Sequence, residues 1–242
     1  MSDPEGDAQL AQLVERYALS EHAASALRIL VSLLTTDVAA PTSVRNKRSV
    51  VDDHLADSLV ALELDEVRRA RTVADIGSGA GLPGLVLAAA LPEATVWLVE
   101  SSGRKCAFLD RARTACGLDN ARVANVRAEL WSDGFGRCDL VTARAVAPLP
   151  VVAEYAAPLL VIGGASVTWR GARDTEQEAV AARAAAELGL EPQPALKVHP
   201  YAGARNRHLH LMLKVRETPG HFPRRPGVAA RRPLGARVGS NV

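Results

Sequence analysis

The sequence predicts a doubly wound α/β fold with a mostly parallel sheet. Three observations predict it. From Thr72 onward, short β-rich runs alternate with helical stretches of about ten residues. A glycine cluster separates the first such run from the helix after it. The chain has 242 residues, 48% hydrophobic and 23% charged, which suits one large α/β domain, or one medium domain with an appendage, and excludes a wholly disordered or fibrous chain.

Residues 8–36 read as two helices. Leu10, Leu13, Val14 and Tyr17 keep helical spacing, Ser20 stands where an N-cap belongs, and Leu27, Leu30, Val31 and Leu34 continue the apolar stripe. A polar loop over 35–47 leads to a third helix, expected to start after Ser49 with Asp52 as capping partner and to end near Leu64. Strands are expected at 72–76, 95–99, 122–126, 139–142, 165–169, 196–198 and 208–215. Helices are expected at 85–91, 104–116, 149–160 and 174–188. The last two strands are joined only by the loop 200–207, which predicts an antiparallel hairpin at the sheet edge. Trp97 alternates within the second strand and is assigned to the core. From Thr218 the chain is Pro, Gly and Arg with few large apolar groups, a composition that predicts disorder when unbound. The organisation is therefore an N-terminal helical extension (1–66), an α/β domain (67–216) and a disordered tail (217–242).

The formal net charge of +2 conceals an uneven distribution. From residue 216 to the C-terminus six Arg face one Glu, net +5, and the other 215 residues are net −3. Cys106, Cys116 and Cys138 are an odd number spread over helix and strand, as in a cytosolic protein with reduced thiols. The first nine residues, MSDPEGDAQ, have no basic start and no apolar stretch behind them, so no signal peptide is expected. The most apolar region, 145–169, is broken by Glu154, three prolines and Gly163-Gly164, which argues against a bilayer span.

The most informative segment is Asp75-Ile76-Gly77-Ser78-Gly79-Ala80-Gly81-Leu82-Pro83-Gly84. Two readings compete. Gly79-x-Gly81-x-x-Gly84 matches the dinucleotide fingerprint of a nicotinamide-dependent oxidoreductase, where a pyrophosphate rests on a helix N-terminus. Asp75, Gly77, Gly79 and Gly81 match the acid-x-Gly-x-Gly-x-Gly loop of an S-adenosylmethionine site, with Ser78 inside it. The acid favours the second reading: a carboxylate repels a pyrophosphate and suits a ligand carrying an ammonium and a sulfonium. Glu100, at the end of the next strand, can accept from ribose hydroxyls of either cofactor. The expected fold is thus the Rossmann-like class I methyltransferase sheet, with an antiparallel C-terminal hairpin and an N-terminal helical extension.

Beyond the loop, the chain resembles the bacterial 16S ribosomal RNA guanine-N7 methyltransferase family, RsmG or GidB, over roughly residues 33–214. The resemblance is carried by Thr42-Ser43-Val44-Arg45, His54-Leu55-Ala56-Asp57-Ser58, the glycine loop with its Gly81-Leu82-Pro83-Gly84 ending, Arg127-Ala128-Glu129, Thr142-Ala143-Arg144-Ala145 and Arg207-His208-Leu209. It implies cofactor contacts at Gly77, Leu82, Ala128, Glu129 and Arg144, with Asp75 and Glu100 as in class I enzymes generally. It also implies a small-subunit substrate, with the 530-loop guanine of 16S ribosomal RNA as target; a cytoplasmic monomer is expected. The chain departs from the family with Ala40-Pro41 where Asn-Leu is usual, and Arg170-Gly171 where Lys-Gly is common.

Guanine N7 carries an in-plane lone pair and attacks a methyl sulfonium without deprotonation, so no general base is expected. Arg144 is assigned a positioning role for phosphate, cofactor carboxylate or guanine edge. His54 and Asp57, three apart on one helix face, are read as residues that hold the N-terminal helices to the sheet. His208 and His210 share a strand side but lack a third ligand nearby, so no metal is expected. Arg45, Lys47, Arg48, Arg170, Arg205 and Arg207, with Arg224, Arg225, Arg231, Arg232 and Arg237 of the tail, are candidates for an RNA phosphate path. The remaining alternative is a methyltransferase-like RNA-binding protein without catalysis, against which the intact glycine loop and Glu100 argue.

Overall fold

The computed structural model describes residues 4–236. The N-terminal extension is built from α1 (Pro4–Arg16) and α2 (Glu21–Thr36), joined by a turn in which Ser20 accepts from the Ala23 amide and caps α2. Arg45 closes the other end of α2: its guanidinium donates to the carbonyl of Leu34 in the last turn and to those of Asp37 and Ala40 in the turn that follows, at 2.7–3.0 Å. The third helix begins earlier than its sequence suggests. Asn46, not Ser49, is the cap, accepting from the Ser49 amide. Asp52 instead accepts from Gln9 of α1 at 3.3 Å. The helix runs as α3 (Lys47–Val50), a π-helical stretch (Val51–Ala56), α4 (Asp57–Leu59) and a 3-10 turn (Val60–Glu63). A short α5 (Asp65–Arg69), unforeseen because Val67 is its one large apolar residue, leads into the sheet.

The sheet contains β1 (Thr72–Ile76), β2 (Thr95–Glu100), β3 (Ala121–Asn125), β4 (Cys138–Arg144), β5 (Leu160–Arg170), β6 (Leu190–Pro192), β7 (Leu196–Lys197) and β8 (His208–Lys214). Its order is β3-β2-β1-β4-β5-β8-β6, with β7 also on β8. The first five strands are parallel and β8 runs antiparallel to β5, β6 and β7. The expected hairpin exists between β7 and β8, but β8 lies inside the sheet, and β6 and β7 form the edge. β6 is three residues ending in Pro192, too short and too proline-marked to read as a strand. The helices α6 (Gly84–Ala90), α7 (Gly103–Ala115), α8 (Leu149–Ala156) and α9 (Thr175–Leu188) cover the sheet.

Two apolar clusters hold the layers. One joins Leu27, Leu30 and Leu34 of α2 to Leu85 and Leu87 of α6 and Leu98 of β2. The other joins Val141 of β4, Val151 and Val152 of α8 and Leu188 of α9. Trp97 is half-buried against the second cluster, its ring 5.4 Å from that of Trp131. Among the described residues no helix is long and apolar enough to cross a membrane.

The expected disordered tail requires correction for the residues described. Residues 217–236 pack against the domain and include α10 (Val228–Arg231). Phe222 and Ala229 are buried in the second cluster. Arg224 donates from its backbone N and Nε to Glu154 Oε1 at 3.0 and 2.8 Å, and its Nη2 reaches Oε2. Glu154 is fully buried in the apolar helix α8, and an unpaired charge there would cost about 3–5 kcal/mol. The segment is therefore fixed by groups it receives from the domain, not by a core of its own. Arg237 lies outside the described residues.

The glycine loop leaves no room at Gly84, where a Cβ would lie 2.7 Å from Asp75 Oδ2 and also strike Leu98. Gly84→Ala should lower stability by about 1–3 kcal/mol. A urea-unfolding midpoint equal to wild type would show that this close approach is not a constraint.

Candidate functional site

Strand order reverses between β1 and β4, and the carboxyl ends of β1, β2 and β4 open there onto one face. Asp75, near the end of β1, is 1% exposed and keeps both oxygens inside the protein. Oδ2 accepts from the Gly84 amide at 3.1 Å and Oδ1 from Thr142 Oγ1 at 3.0 Å. The carboxylate thus ties the first strand to the loop's far end and to β4. Burial pushes the Asp75 pKa up to about 6, against the pull of Thr142, Ser78, Gly84 and Arg144. Ser78 donates to the Asp75 carbonyl at 2.7 Å. Gly81 and Leu82 are buried, Leu82 within the first cluster. Asp75, Ser78, Gly81 and Leu82 shape the loop from behind.

In front of the loop lies a groove of about 280 Å³. Gly77, Glu100, Arg127, Ala128, Glu129, Val146 and Ala230 are among its lining residues. Gly77 has φ +67°, and a Cβ there would come within 2.8 Å of Val146, so the position favours glycine on two grounds. Glu100 is 5% exposed and held by the amides of Gly79 at 3.1 Å and Ser102 at 2.9 Å, one to each oxygen. Each oxygen retains acceptor capacity toward the groove, the chemistry that two vicinal hydroxyls require. Lys105 approaches Glu100 at 3.8 Å. Glu129, also buried, accepts from Arg127 Nε at 3.1 Å and from the Gly227 amide at 3.3 Å. Val99, Val126, Ala128 and Ala147 add apolar walls suited to a flat ring. The carboxylate acceptors and the missing Cβ fit the adenosyl cofactor expected from the sequence.

A second cleft, of about 250 Å³, opens beside it and is lined by Asp57, Arg144, Ala145, Trp169, Arg170, Gly171 and Arg207. The two are divided by the turn after β4. There Ala145 takes φ +56°, a left-handed conformation that costs a non-glycine residue about 1–2 kcal/mol. Arg144 falls on the cleft side of that turn and Val146 and Ala147 on the groove side. Arg144 Nη1 donates to Asp57 Oδ2 at 3.0 Å and to the Asp53 carbonyl at 3.2 Å. Arg207 Nε lies 3.4 Å from Asp57 Oδ1, and its Nη2 donates to Asp53 and Tyr201. The indole of Trp169 donates to the Asp57 carbonyl at 2.6 Å. Asp57 is therefore the anchor that fixes the N-terminal helices and both arginines, in line with the holding role read from the sequence. Its supposed neighbour His54 instead meets Thr42 Oγ1 at 2.9 Å, and burial, reinforced by Arg144, lowers its pKa.

The remaining sequence candidates separate. Arg170 and Arg207 share the cleft with Arg144. Arg45 is committed to the end of α2, while Lys47 and Arg48 pair with Asp7 and Glu5 of α1 at 2.6 and 3.1 Å. Arg205 is exposed. His208 Nδ1 contacts the Gly171 carbonyl at 2.7 Å and His210 faces Glu178 at 3.9 Å. Sequence reading missed Trp169 in the cleft and Asp53 and Tyr201 as partners of its Arg207, because they come from three distant segments with no shared spacing. It also missed Gly227 and Ala230 at the groove, which its disorder expectation had set aside.

Residues 27–209 match the GidB family model, described as rRNA small subunit methyltransferase G. A protein named ribosomal RNA small subunit methyltransferase G from Rubrobacter xylanophilus is 42% identical over 196 residues, covering 78% of this chain and 75% of that protein. One of the same name from Chloroflexus aggregans is 40% identical, covering 80% and 82%. Among solved structures, a predicted O-methyltransferase from Agrobacterium tumefaciens superposes with a TM-score of 0.51 at 25% identity, covering 67% of this chain and 80% of that one. Fibrillarin from Aeropyrum pernix, solved with natively bound S-adenosyl-L-methionine, gives 0.51 at 15% identity over 65% and 73%, a likeness of fold.

Because Asp75 binds its proton more tightly folded than unfolded, stability should fall as pH rises from about 4 through 6. The loss amounts to about 2–3 kcal/mol at about 1.4 kcal/mol per pKa unit. Relative to Asp75→Asn, wild type should be most favoured near pH 4 and lose that advantage by pH 7. Parallel stability curves for the two proteins across this window would remove Asp75 as the source.

Proposed function

Since the chain belongs to the GidB family of ribosomal RNA small subunit methyltransferases, we propose that it methylates N7 of a guanine in 16S ribosomal RNA, the 530-loop guanine of the small subunit. S-adenosylmethionine is the methyl donor, and the enzyme acts as a cytoplasmic monomer. The observation that carries this reading is the pairing of an acidic groove with an arginine-lined cleft across the Ala145 turn.

In this reading Glu100 holds the ribose hydroxyls, Gly77 lets the donor approach the backbone, and Ala128 and Glu129 border the ring. Bound there, the donor would supply an electrophilic methyl, with the carbon–sulfur electron pair left on sulfur as a neutral thioether when N7 takes the methyl carbon. N7 begins without a proton and ends as a cationic 7-methylguanine, so no side chain needs to remove one. The work of the chain is alignment. Asp57 locks Arg144 and Arg207, whose remaining N–H groups face incoming phosphate or a guanine edge. Orientation of this kind supplies on the order of 7–11 kcal/mol. Small subunits lacking the modification, incubated with labelled donor, should yield labelled 7-methylguanosine on nucleoside analysis. A different methylated nucleoside, or none, would overturn the assignment.

Two further outcomes follow from the same reading. Glu100→Ala should weaken S-adenosylhomocysteine binding at least about tenfold, the worth of one charge-assisted hydrogen bond, without loss of fold. Unchanged affinity by calorimetry would remove Glu100 from the site. The side chains of Arg225, Arg231 and Arg232 are exposed and unpaired among the described residues. Replacing all three with Ala should flatten the salt dependence of RNA binding, by about 0.7–0.9 in log–log slope for each phosphate left unneutralised. An identical slope would mean that these residues do not touch RNA.

A further inference from the structure

The family match ends at residue 209, yet one wall of the groove comes from beyond it. Ala230, in α10, joins Ala128, Glu129 and Tyr155 in the lining. We propose that residues 218–236 form a strap that completes the S-adenosylmethionine site, so that donor affinity depends on a segment outside the family core. The inference rests on the groove being the donor site.

The strap is held on both sides of Ala230. At its start, Lys214, buried at the end of β8, donates to the carbonyl of Ala157 at 2.7 Å and also contacts Thr218. Phe222 then enters the apolar cluster that contains Val99, itself a groove residue. Arg224 meets Glu154 with its backbone N, Nε and Nη2, and Nη2 also donates to the Arg232 carbonyl at 2.9 Å, closing the strap on itself. At its far end, Arg183 of α9 donates to the Gly235 carbonyl at 2.7 Å.

Between these anchors the strap touches a groove residue directly. Gly227, at φ +79°, turns its amide onto Glu129 Oε1 at 3.3 Å. Glu129 is thereby held by one donor from its own 3-10 turn region, Arg127, and one from the strap. Removing the strap would strip the groove of the Ala230 wall and free the Glu129 carboxylate to rotate. A strap that merely covered α8 and α9 would need Phe222, Arg224 and Ala229, but neither the Gly227 hydrogen bond nor Ala230 in the groove.

Calorimetric titration with S-adenosylhomocysteine separates these cases. One variant, Ala230→Trp, fills the groove from the strap side at an exposed position. Another ends the chain at Glu217 and carries Glu154→Met, so that no bare carboxylate is left in α8. Glu100→Ala serves as the control on the groove itself. We expect Ala230→Trp to bind at least tenfold more weakly with an unchanged ligand-free melting temperature, and the truncated chain to bind more weakly as well. If Glu100→Ala weakens binding while Ala230→Trp and the truncated chain bind as wild type, the strap is a cover and the proposal fails. If Glu100→Ala also binds as wild type, the groove reading fails and takes the strap with it. Should the truncated chain not fold, Ala230→Trp alone decides.

Discussion

A single carboxylate, that of Asp57, organises the cleft. It is 6% exposed, and two guanidiniums approach it, Arg144 from the end of β4 and Arg207 from the loop before β8. Two charges of one sign crowded beside a cavity repel each other; a buried carboxylate between them attracts both and offsets that repulsion. It holds Arg144 by a 3.0 Å hydrogen bond from Nη1 and pairs with Arg207 Nε at 3.4 Å, so both guanidiniums stay at the cleft they line. Because Asp57 belongs to the helical extension, those helices are part of the site rather than an accessory to the sheet. The π-helical stretch just before it belongs to the same design: Asp53, within it, supplies a carbonyl to Arg144 and a carboxylate to Arg207.

The face above the strand ends is thereby divided by charge. On one side of Ala145, Glu100 and Glu129 line a groove; on the other, three arginines and one aspartate line a cleft. A cationic donor and a polyanionic acceptor have opposite electrostatic needs, and a site that served both with one surface would serve neither. The left-handed turn at Ala145 changes side within three residues, Arg144 to one cavity and Val146 to the other.

Much of this was legible in the sequence. Alternating β-rich and helical runs specified the parallel sheet, since parallel strands need long crossovers and leave continuous apolar runs. The glycine loop and Glu100 marked the groove because backbone approach and a strand-end acid leave local signatures. The cleft was only half legible. Arg144, Arg170 and Arg207 could be named individually, but the union of Arg144 and Arg207 through Asp57 depends on distant contacts, spanning 87 residues for Arg144. Asp75 shows the opposite limit. Its type and position were plain, but its direction was not: hydrogen bonds from Gly84 and Thr142 turn it away from the groove and into the fold. The early start of the third helix has a local cause: Asn46 caps it, three residues ahead of the expected Ser49.

The tail shows why composition misleads when a segment completes another unit's core. The low-hydrophobicity argument asks whether a stretch can bury enough of its own surface to offset ordering entropy. Residues 218–236 need not, because the domain offers a ready apolar cluster to Phe222 and Ala229 and a buried carboxylate to Arg224. The signal was present elsewhere in the chain. Glu154 sits within the apolar run LPVVAEYAAPLLV, and a carboxylate in such a run must face water or find a cation. A helix packed on the sheet denies it water, so a cation had to come from another segment. The arginine-rich tail is the segment with cations to spare, and the structure places one of them, Arg224, on that carboxylate. Reading buried charges as demands on distant sequence recovers order that local composition conceals.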